Sequence, residues 1–504
     1  MVTQDDVPST TEPTREDQRP AESLIMTDAL RTLIDKYCEY LYLPDPTPVQ
    51  LTLATVVAHR MGGAPVWLMI IGPPSSGKSE NLQAIVGLPD VYPVGTLSEA
   101  GLLSGTSQSD RDEKATGGLL MEMENQEGII LCKDFTSILD GPREKLSQVL
   151  AGLREVYDGS WTRVLGTDGG RSFAWRGRVG FIGATTGVID RHQNVMGKMG
   201  PRFLLYRMPV VDPERLAREA LQGSSREARI REELGRDVEI FLSELDLTQV
   251  LPVRSDSETD HIVAMSHLVV TARSAVVRDD YSKTIELILE PEAPPRLVKS
   301  LDSLWFALQI IGVGRRGALR IVTQVALDCI PTVRRKILDV LISNPSEACS
   351  IETFVEATGY KDAVVRRHLE ELEAHGLFTH SSHGNNKFRY LLSDQAQEWI
   401  EILGRNFVFP ECRTLVPEAE PLPKVTPSAP PEQISTNVTT SKDAQFLRNV
   451  VSNKIIKTTK RKNTKPIATP ASYDKSEKPS QRPSGSGARP DRTPWNSRNG
   501  IGGE

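Results

Sequence analysis

The feature that most constrains this chain is a glycine-rich loop directly after an apolar stretch. Residues 66–71 read Val-Trp-Leu-Met-Ile-Ile, and the next positions complete the pattern G-x-x-x-x-G-K-S. Phosphate binding needs backbone N–H groups turned into a concave nest, and glycine permits that close approach because it has no side chain. The pattern predicts a strand, a phosphate-binding loop and a helix, and the loop consists of Gly72, Pro73, Pro74, Ser75, Ser76, Gly77, Lys78 and Ser79.

Other side chains extend this loop into a candidate nucleotide site. Lys78 supplies a positive charge for the outer phosphates, and the Ser79 hydroxyl is placed to ligate Mg²⁺ at the positive end of the following helix. A second apolar run, residues 128–132, ends just before Asp134, which we expect to hold the water shell of the Mg²⁺ ion. The alternative is a buried strand that simply ends in an exposed acid. We therefore expect ATP and Mg²⁺ as ligands.

Length and composition set outer bounds on the chain. Its 504 residues are enough for two to four domains, at about 100–200 residues per domain. The five cysteines are scattered and form no C-x-x-C pair, which argues for a reducing compartment and against structural zinc. The polar N-terminus has no secretory signal and no apolar run is long enough to span a membrane, so we expect a soluble cytoplasmic protein without membrane contact.

The pattern along the chain predicts an α/β protein with several parts. Buried strands separated by helices predict a P-loop core with a parallel sheet over residues 63–212. A helical pair (25–62) precedes this core, and a helical region (213–335) follows it. Residues 1–24 and 403–504 are polar and are expected to be disordered. From Ser441 to Glu504 there are 14 Lys and Arg against 5 Asp and Glu, a basic tail on an acidic body.

Two basic regions are candidates for DNA binding. Residues 160–175 alternate around a D-G-G turn, which predicts a hairpin that carries Arg163 and Arg171. Residues 336–402 have the order helix, helix, turn, helix and hairpin, as in a winged helix. Its exposed basic residues would be Lys361, Arg366 and Arg367 on the recognition helix, and Lys387 and Arg389 on the wing. The alternative is that this domain packs only against protein.

Residues 25–335 resemble the AAA+ ATPases, and most closely the MCM-like helicases of phages and mobile elements. Gly72–Ser79 is the specific match, as Walker A, and Asp134 falls at Walker B. The resemblance implies a basic pore hairpin around residues 168–171, a sensor 1 at Thr185 or Thr186, an arginine finger and a helical lid. It further implies assembly into a homo-oligomeric ring, because the finger acts on a neighbouring subunit. The resemblance assigns the finger to Arg202, with Arg207 as a rival, and sensor 2 to Arg296.

One departure from the family concerns the catalytic base. The family's Walker B usually pairs the Mg²⁺-binding Asp with a following Glu, but Asp134 is followed by Phe135. Glu99 is our candidate, because it follows a short predicted strand after the P-loop, and because the loop is also similar to that of RecA-like recombinases, which carry the catalytic Glu on a neighbouring strand. Glu99 as an ordinary helix-capping acid is the alternative.

Three functions fit these features. The first is an ATP-driven motor on DNA, a helicase or replication-initiation ATPase of a phage or mobile element. The second is an ATP-dependent transcription regulator whose winged helix reads a specific site, although we find no G-A-F-T-G loop of the promoter-bound activators. The third is a nucleotide-gated assembly or packaging factor whose winged helix binds protein.

Overall fold

The computed structural model describes residues 26–104, 117–164, 172–192, 202–209, 212–223, 227–279, 281–343, 345–382 and 388–406. All of these residues belong to one structural unit, Met1–Glu420. Several predictions fall outside the described residues: the disorder of residues 1–24, the hairpin tip with Arg171, the wing residue Lys387 and the tail beyond Asn406.

Two helices precede the glycine-rich loop, α1 (Asp28–Tyr40) and α2 (Thr47–Met61). The hydroxyl of Thr27 caps α1 by accepting a hydrogen bond from the Leu30 amide at 3.4 Å. A proline lies in the first turn of α2, where its missing N–H removes no hydrogen bond from the helix. Nearly the whole helix is buried. The helical pair expected here is therefore present.

A five-stranded parallel sheet forms the centre of the fold. The described residues of this part of the chain form seven strands: β1 (Trp67–Ile71), β2 (Val91–Val94), β3 (Glu127–Cys132), β4 (Ser160–Val164), β5 (Ser172–Arg176), β6 (Arg178–Thr185) and β7 (Phe203–Arg207). The order of the main sheet is β2-β3-β6-β1-β7, while β4 and β5 form a separate antiparallel hairpin. Because every pair in the main sheet is parallel, the carboxyl ends of its strands meet at one edge. The predicted α/β core with a parallel sheet is confirmed.

Both faces of this sheet are covered, which explains its continuous apolar strands. Successive side chains of β1 enter two different apolar clusters, as the period of a strand requires. Leu68 and Ile70 pack with α2, whereas Trp67 and Met69 pack with the long helix α7. The helices between the strands are α3 (Lys78–Gln83), α4 (Glu99–Leu102), α5 (Leu119–Glu122), α6 (Thr136–Leu139) and α7 (Arg143–Tyr157).

A mainly helical region follows the sheet. Its helices are α8 (Pro213–Gly223), α9 (Glu227–Ser243), α10 (Asp256–Arg273), α11 (Pro295–Ile310) and α12 (Arg315–Asp328). A capping box between Ser255 and Glu258 begins α10. The sequence analysis did not predict the hairpin of β8 (Val276–Arg278) and β9 (Ile285–Ile288) within this region. Its strands are short and largely exposed, so they carry little of the alternation that reveals a strand.

The C-terminal part combines four helices with a small sheet. The elements are α13 (Thr332–Ser343), β10 (Cys349–Ser350), α14 (Ile351–Thr358), α15 (Asp362–Ala374), β11 (Phe378–Ser382), β12 (Phe388–Leu392) and α16 (Asp394–Asn406). The sheet is antiparallel, in the order β10-β12-β11. Gly359 ends α14 with a φ of 72°, a conformation that favours glycine.

The expected onset of disorder at residue 403 is wrong by four residues, because α16 continues to Asn406. The helix buries Ala396, Ile400 and Leu403, which lie three and four positions apart on one face. No helix in the described part of the chain is both long and apolar enough to cross a membrane.

Candidate nucleotide-binding site

The glycine-rich loop leaves the sheet at the carboxyl end of β1. The Gly72 amide donates to the Thr185 carbonyl at 3.2 Å, so the sheet ladder fixes the start of the loop. A Cβ on Gly72 would lie 2.8 Å from Ser76 Oγ, a contact that only glycine avoids. Ser75 and Gly77 have φ angles of 62° and 83°. These left-handed residues turn the loop back on itself, which is the backbone shape needed to direct N–H groups at an anion.

The ammonium group of Lys78 lies inside this turn. Its Nζ donates to the carbonyl oxygens of Gly72 at 2.8 Å and Pro73 at 2.5 Å, and it lies 3.3 Å from Ser76 Oγ. Burial lowers the pKa of Lys78, and the negative charge of Asp134 opposes part of that shift. The structure thus brings the loop, its lysine and the predicted Walker B acid into one electrostatic environment.

The predicted metal ligands occupy exposed positions at the same edge of the sheet. Ser79 lies in the first turn of α3, and Asp134 lies two residues beyond β3. One oxygen of Asp134, Oδ1, accepts a hydrogen bond from the Thr136 amide at 3.1 Å, which orients the carboxylate. A hydroxyl and a carboxylate oxygen are ligand types that Mg²⁺ accepts, so the donor set fits this ion.

Phe135 has a structural role that explains why no acid follows Asp134. Its side chain is fully buried, and its ring centroid lies 5.9 Å from those of Phe181 and Phe203. The Phe135 amide also donates to the Ala184 carbonyl at 2.8 Å. A carboxylate at this position would lie in an aromatic core and would not reach a water molecule at the edge of the sheet.

The two candidate sensor threonines lie between the loop and Asp134. Strand β6 pairs with β1 on one side and β3 on the other, so its carboxyl end opens between the two. The Thr185 and Thr136 hydroxyls are 3.2 Å apart, and the Thr186 amide donates to Thr136 Oγ1 at 3.2 Å. Thr185 is buried and Thr186 is half-buried. The Thr185 hydroxyl and the Thr186 amide are thus linked to Thr136, in the segment that carries Asp134.

Glu99, the candidate base, contacts Arg163, which the sequence predicted as a DNA-binding residue. It begins α4, which follows the edge strand β2, three strands from β1 in the sheet order. The Nε atom of Arg163, from hairpin strand β4, lies 3.4 Å from Glu99 Oε1. Arg163 Nη1 also donates to the Leu103 carbonyl at 2.8 Å. The structure therefore joins the candidate base to a candidate DNA-binding arginine.

Arg202 is not brought to the loop of its own chain. It directly precedes Phe203, which pairs with Trp67 at the amino end of β1, so it lies at the sheet edge opposite the loop. Its guanidinium donates to Asp158 at 2.7 Å and lies over the ring of Tyr157, and only 4% of the side chain is exposed. The finger role, which acts on a neighbouring subunit, stays a prediction for this residue.

Arg296 lies near the same group of residues as Arg202. It forms an ion pair with Glu292 at 2.6 Å, and its charge acts on Tyr157 together with that of Arg202. The resemblance assigned sensor 2 to Arg296 and assigned the finger, which acts on a neighbouring subunit, to Arg202. The structure instead places both beside Tyr157, so neither reaches the loop within one chain.

Arg207, the rival candidate for the arginine finger, lies at the edge of the sheet that carries the glycine-rich loop. Arg207 is in register with Ile71, the residue directly before Gly72. Its guanidinium binds both oxygens of Asp190, at 2.8 and 3.1 Å, and its Nε donates to the Asp328 carbonyl at 3.0 Å. This network links the end of β7 to α12.

The candidate DNA-binding residues of the C-terminal part differ in their contacts. Lys361 and Arg389 are exposed. Arg366 forms an ion pair with Asp362 at 2.6 Å, and Arg367 forms one with Glu371 at 3.2 Å, both within α15.

A further contact covers part of α15. Arg278, from the hairpin that the sequence did not predict, lies 2.9 Å from Glu371 and 3.2 Å from Glu370 and donates to the Arg367 carbonyl. Arg334 also contacts Glu371 at 2.8 Å, and 2% of its side chain is exposed. Burial alone would raise the pKa of Glu371, but the hydrogen bond from His368 and the charge of Arg334 hold it well below its usual range.

Comparison with known proteins adds little to this geometry. No protein-family model matches the sequence, and no curated protein matches it. A solved structure described as the A form apo structure of the NrS-1 C-terminal region is similar over 76% of this chain and 79% of that chain. Its sequence identity is 11% and the TM-score is 0.24, so the likeness carries no argument about fold or function.

Sequence reasoning missed several residues of this region. Asn81 lies on α3 and is buried against α2, but an asparagine within a helix carries no local signal of a special role. The contact between Glu99 and Arg163 joins residues far apart in sequence, and only the tertiary fold reveals it. The same holds for the network of Arg207 and Asp190.

Proposed function

We propose that this protein binds and hydrolyses ATP with Mg²⁺ on an AAA+-like P-loop core, and that it uses the energy to act as a motor on DNA. The observation that carries the proposal is the geometry of the Gly72–Ser79 loop, in which left-handed turns surround a lysine ammonium beside a carboxylate. The parallel sheet supports the same class, because the loop connects its buried strand β1 to helix α3.

The residues of the loop have distinct tasks in this mechanism. Backbone N–H groups of residues 75–79 would bind phosphate oxygens, and Lys78 would exchange its contacts with the Gly72 and Pro73 carbonyls for contacts with the outer phosphates. Ser79 and Asp134 would hold Mg²⁺, which would neutralise charge on the phosphates. Thr186 directly follows β6, the strand between β1 and β3, and would donate a hydrogen bond at the γ-phosphate.

Glu99 is the proposed general base and orients the attacking water, since the position after Asp134 is occupied by a core phenylalanine. An arginine from a neighbouring subunit, Arg202 or its rival Arg207, completes the site in an oligomeric ring. Release of Arg202 from Asp158 would be required for that role, because its side chain is buried against its own chain.

The basic residues support a nucleic-acid partner. Arg163 lies on hairpin β4–β5, and Arg171, which the sequence predicts at its tip, lies outside the described residues. Lys361 and Arg389 are exposed on the C-terminal part, whose order of elements fits a winged helix. Arg366 and Arg367, also predicted there, need to leave their ion pairs to reach a phosphate. Such residues follow a phosphate backbone without reading bases, so binding should depend strongly on salt.

The direct test is ATP hydrolysis by the full chain, with and without single-stranded DNA, over a range of salt concentrations. We expect stimulation by DNA that weakens as salt rises. Glu99→Gln should abolish turnover and leave ATP binding unchanged, because the substitution removes the base and keeps the shape of the side chain. Gln126→Glu, at a position remote from the loop, is the control variant and should keep normal turnover. Hydrolysis that is indifferent to DNA at every salt concentration argues against the motor, and normal turnover by Glu99→Gln excludes this base.

One observation favours the third function, a nucleotide-gated assembly factor. The helix α15 is held by Arg278 through Glu370 and Glu371, so part of the predicted recognition helix already packs against protein. DNase footprinting separates the DNA-binding alternatives. Protection that depends on DNA length favours the motor, protection of a specific sequence favours the regulator, and no protection favours the assembly factor.

A further inference from the structure

Asp190 joins the sheet edge that carries the glycine-rich loop to the first helix of the C-terminal part. It lies in the 3₁₀ turn Gly187–His192, which follows β6 after one residue. Its two carboxylate oxygens accept hydrogen bonds from the Arg207 guanidinium at 2.8 and 3.1 Å. Asp190 Oδ2 also accepts from the Thr332 hydroxyl at 2.5 Å and from the Thr332 amide at 3.3 Å. One carboxylate thus binds the end of β7 and the amino end of α13, where the helix dipole favours an anion.

The turn that carries Asp190 is short and anchored at both ends. Only three residues separate Asp190 from Thr186, the candidate sensor, whose amide donates to Thr136 Oγ1 at 3.2 Å. Ile189, inside the turn, is 4% exposed. A close-packed turn of this length has little free volume in which to absorb a movement. A displacement of Thr186 by a ligand is therefore passed on to Asp190.

A second link connects α13 to α15, the candidate recognition helix. Arg334 lies two residues after Thr332, and 2% of its side chain is exposed. Its guanidinium donates to Glu371 of α15 at 2.8 Å and to the Ala272 carbonyl, near the end of α10, at 2.9 Å. Separating the two charges of a buried ion pair is strongly unfavourable, so a movement of α13 carries α15 with it.

We propose that Asp190 is a positioning residue that couples ATP binding to the placement of α13 and α15. The inference rests on the proposed function, in which Thr186 contacts the γ-phosphate. A nucleotide that repositions Thr186 changes how Asp190 holds Thr332, and the ion pair of Arg334 and Glu371 carries the change to α15. Coupling of this kind is reciprocal, so a partner that binds α15 changes the affinity for ATP by the same factor.

Hydrogen-exchange mass spectrometry of the full chain tests the coupling without the need for a DNA ligand. The probe is the non-hydrolysable analogue AMP-PNP with Mg²⁺, compared with the free protein. We expect the analogue to slow amide exchange in the Gly72–Ser79 loop and to change the exchange rates of α13 and α15 by about fivefold or more, as coupled sites typically do. Protection of the loop with no change in α13 and α15 overturns the inference. If the analogue does not bind at all, the proposed function fails as well.

Asp190→Asn is the variant that tests the positioning residue itself. It keeps the size of the side chain and removes the charge, so protection of the loop should remain while the response of α13 and α15 is lost. Asp90→Asn is the matched control, because Asp90 binds Arg60 with both oxygens at 2.8 Å and its side chain is 27% exposed, against 26% for Asp190. Asp90 lies before β2, at the sheet edge opposite the loop, so this variant should retain the full response. An Asp190→Asn protein that responds like the original chain contradicts the role of Asp190.

Thr332→Val gives an independent measurement, because Asp190→Asn also weakens the contact with Arg207 and can impair folding. The substitution removes only the hydroxyl that donates to Asp190 and leaves the ion pair with Arg207 in place. The response of α13 and α15 to AMP-PNP should become smaller, with protection of the loop unchanged. A full response in this variant contradicts a route through the amino end of α13.

Discussion

At the scale of single residues, Phe135 shows how the core restricts the chemistry of the site. The position after Asp134, where the AAA+ ATPases that the sequence resembles usually carry a glutamate, is here a member of an aromatic cluster with Phe181 and Phe203. The sequence revealed the substitution but not its cause. In the proposed mechanism the catalytic base therefore comes from another part of the chain, and Glu99 at the start of α4 is the proposed residue.

A prediction follows for Phe135→Glu. The substitution should not raise ATP turnover, and it should lower the free energy of unfolding by about 3–5 kcal/mol, because it removes a buried ring and introduces an unpaired charge. Chemical denaturation and an ATPase assay measure the two effects. Phe135→Leu is the matched control, since it keeps the apolar character and should cost much less. A stable Phe135→Glu protein with faster turnover would contradict this account of the site.

Buried histidines should make the stability depend on pH. Burial lowers the pKa of His261 to about 4, and burial together with the charge of Arg178 lowers that of His59 to about 4. Unfolded histidine has a pKa near 6.5, so the unfolded state binds more protons between these values and stability falls as the pH drops through that window. Burial raises the pKa of Asp328 to about 6, and this opposes part of the fall, because its native state binds the extra proton.

We expect unfolding in urea to show a net loss of stability between pH 6.5 and 5, with about 1.5 kcal/mol from each histidine. The variant His261→Gln keeps a polar group near Thr323, which His261 contacts at 2.8 Å, but does not titrate. It should therefore show a smaller loss over the same range. The same pH dependence in the variant and the original protein would show that His261 does not contribute.

At the scale of elements, α15 packs against other parts of the chain and also carries candidate DNA-binding residues. Arg278 and Arg334 converge on Glu371, which ties the helix to hairpin β8–β9 and to α13. The two arginines predicted to face DNA, Arg366 and Arg367, form ion pairs with acids of the same helix. Lys361 at the start of the helix and Arg389 on β12 are exposed, as Arg367 is despite its ion pair.

This difference gives a prediction for DNA binding. Lys361→Ala and Arg389→Ala should each weaken binding for all sequences and reduce the slope of log affinity against log salt by about one. Arg367→Ala should change the slope less, because its charge is already neutralised by Glu371. Fluorescence anisotropy with labelled single-stranded DNA at several salt concentrations measures these slopes. A larger change of slope for Arg367→Ala than for Arg389→Ala would contradict the expectation that Arg389 contacts DNA more closely than Arg367.

At the scale of the whole molecule, the sequence predicted local features better than their arrangement. The P-loop strand was predicted over residues 66–71 and is observed over Trp67–Ile71, because apolar runs and turn residues are local signals. Hairpin β8–β9 was missed, because its short exposed strands lack a clear pattern. The end of α16 was missed because polar sequence beyond it resembled a disordered tail.

The arrangement of the candidate site depends on pairings between distant strands. The sequence correctly identified residues that lie together at the loop, such as Lys78 and Asp134, since both follow parallel strands. It could not show that Arg202 and Arg296 lie beside Tyr157 at the opposite edge, because strand order decides the edge on which each residue lies. For the same reason it could not show that Glu99 contacts Arg163.

The central claim is that the Gly72–Ser79 loop binds a nucleoside triphosphate, and calorimetry with Mg²⁺ and ATP tests it most directly. We expect the full chain to bind one ATP per subunit, and Lys78→Ala to weaken binding by about a hundredfold, since a charge-assisted contact of about 1.5–3 kcal/mol is lost together with the order it gives the loop. Lys133→Ala removes a lysine that donates a hydrogen bond to Gln83 at the same edge of the sheet, and this variant should retain ATP binding. Absence of binding by the original chain, or equal affinity of the Lys78→Ala protein, would contradict the account.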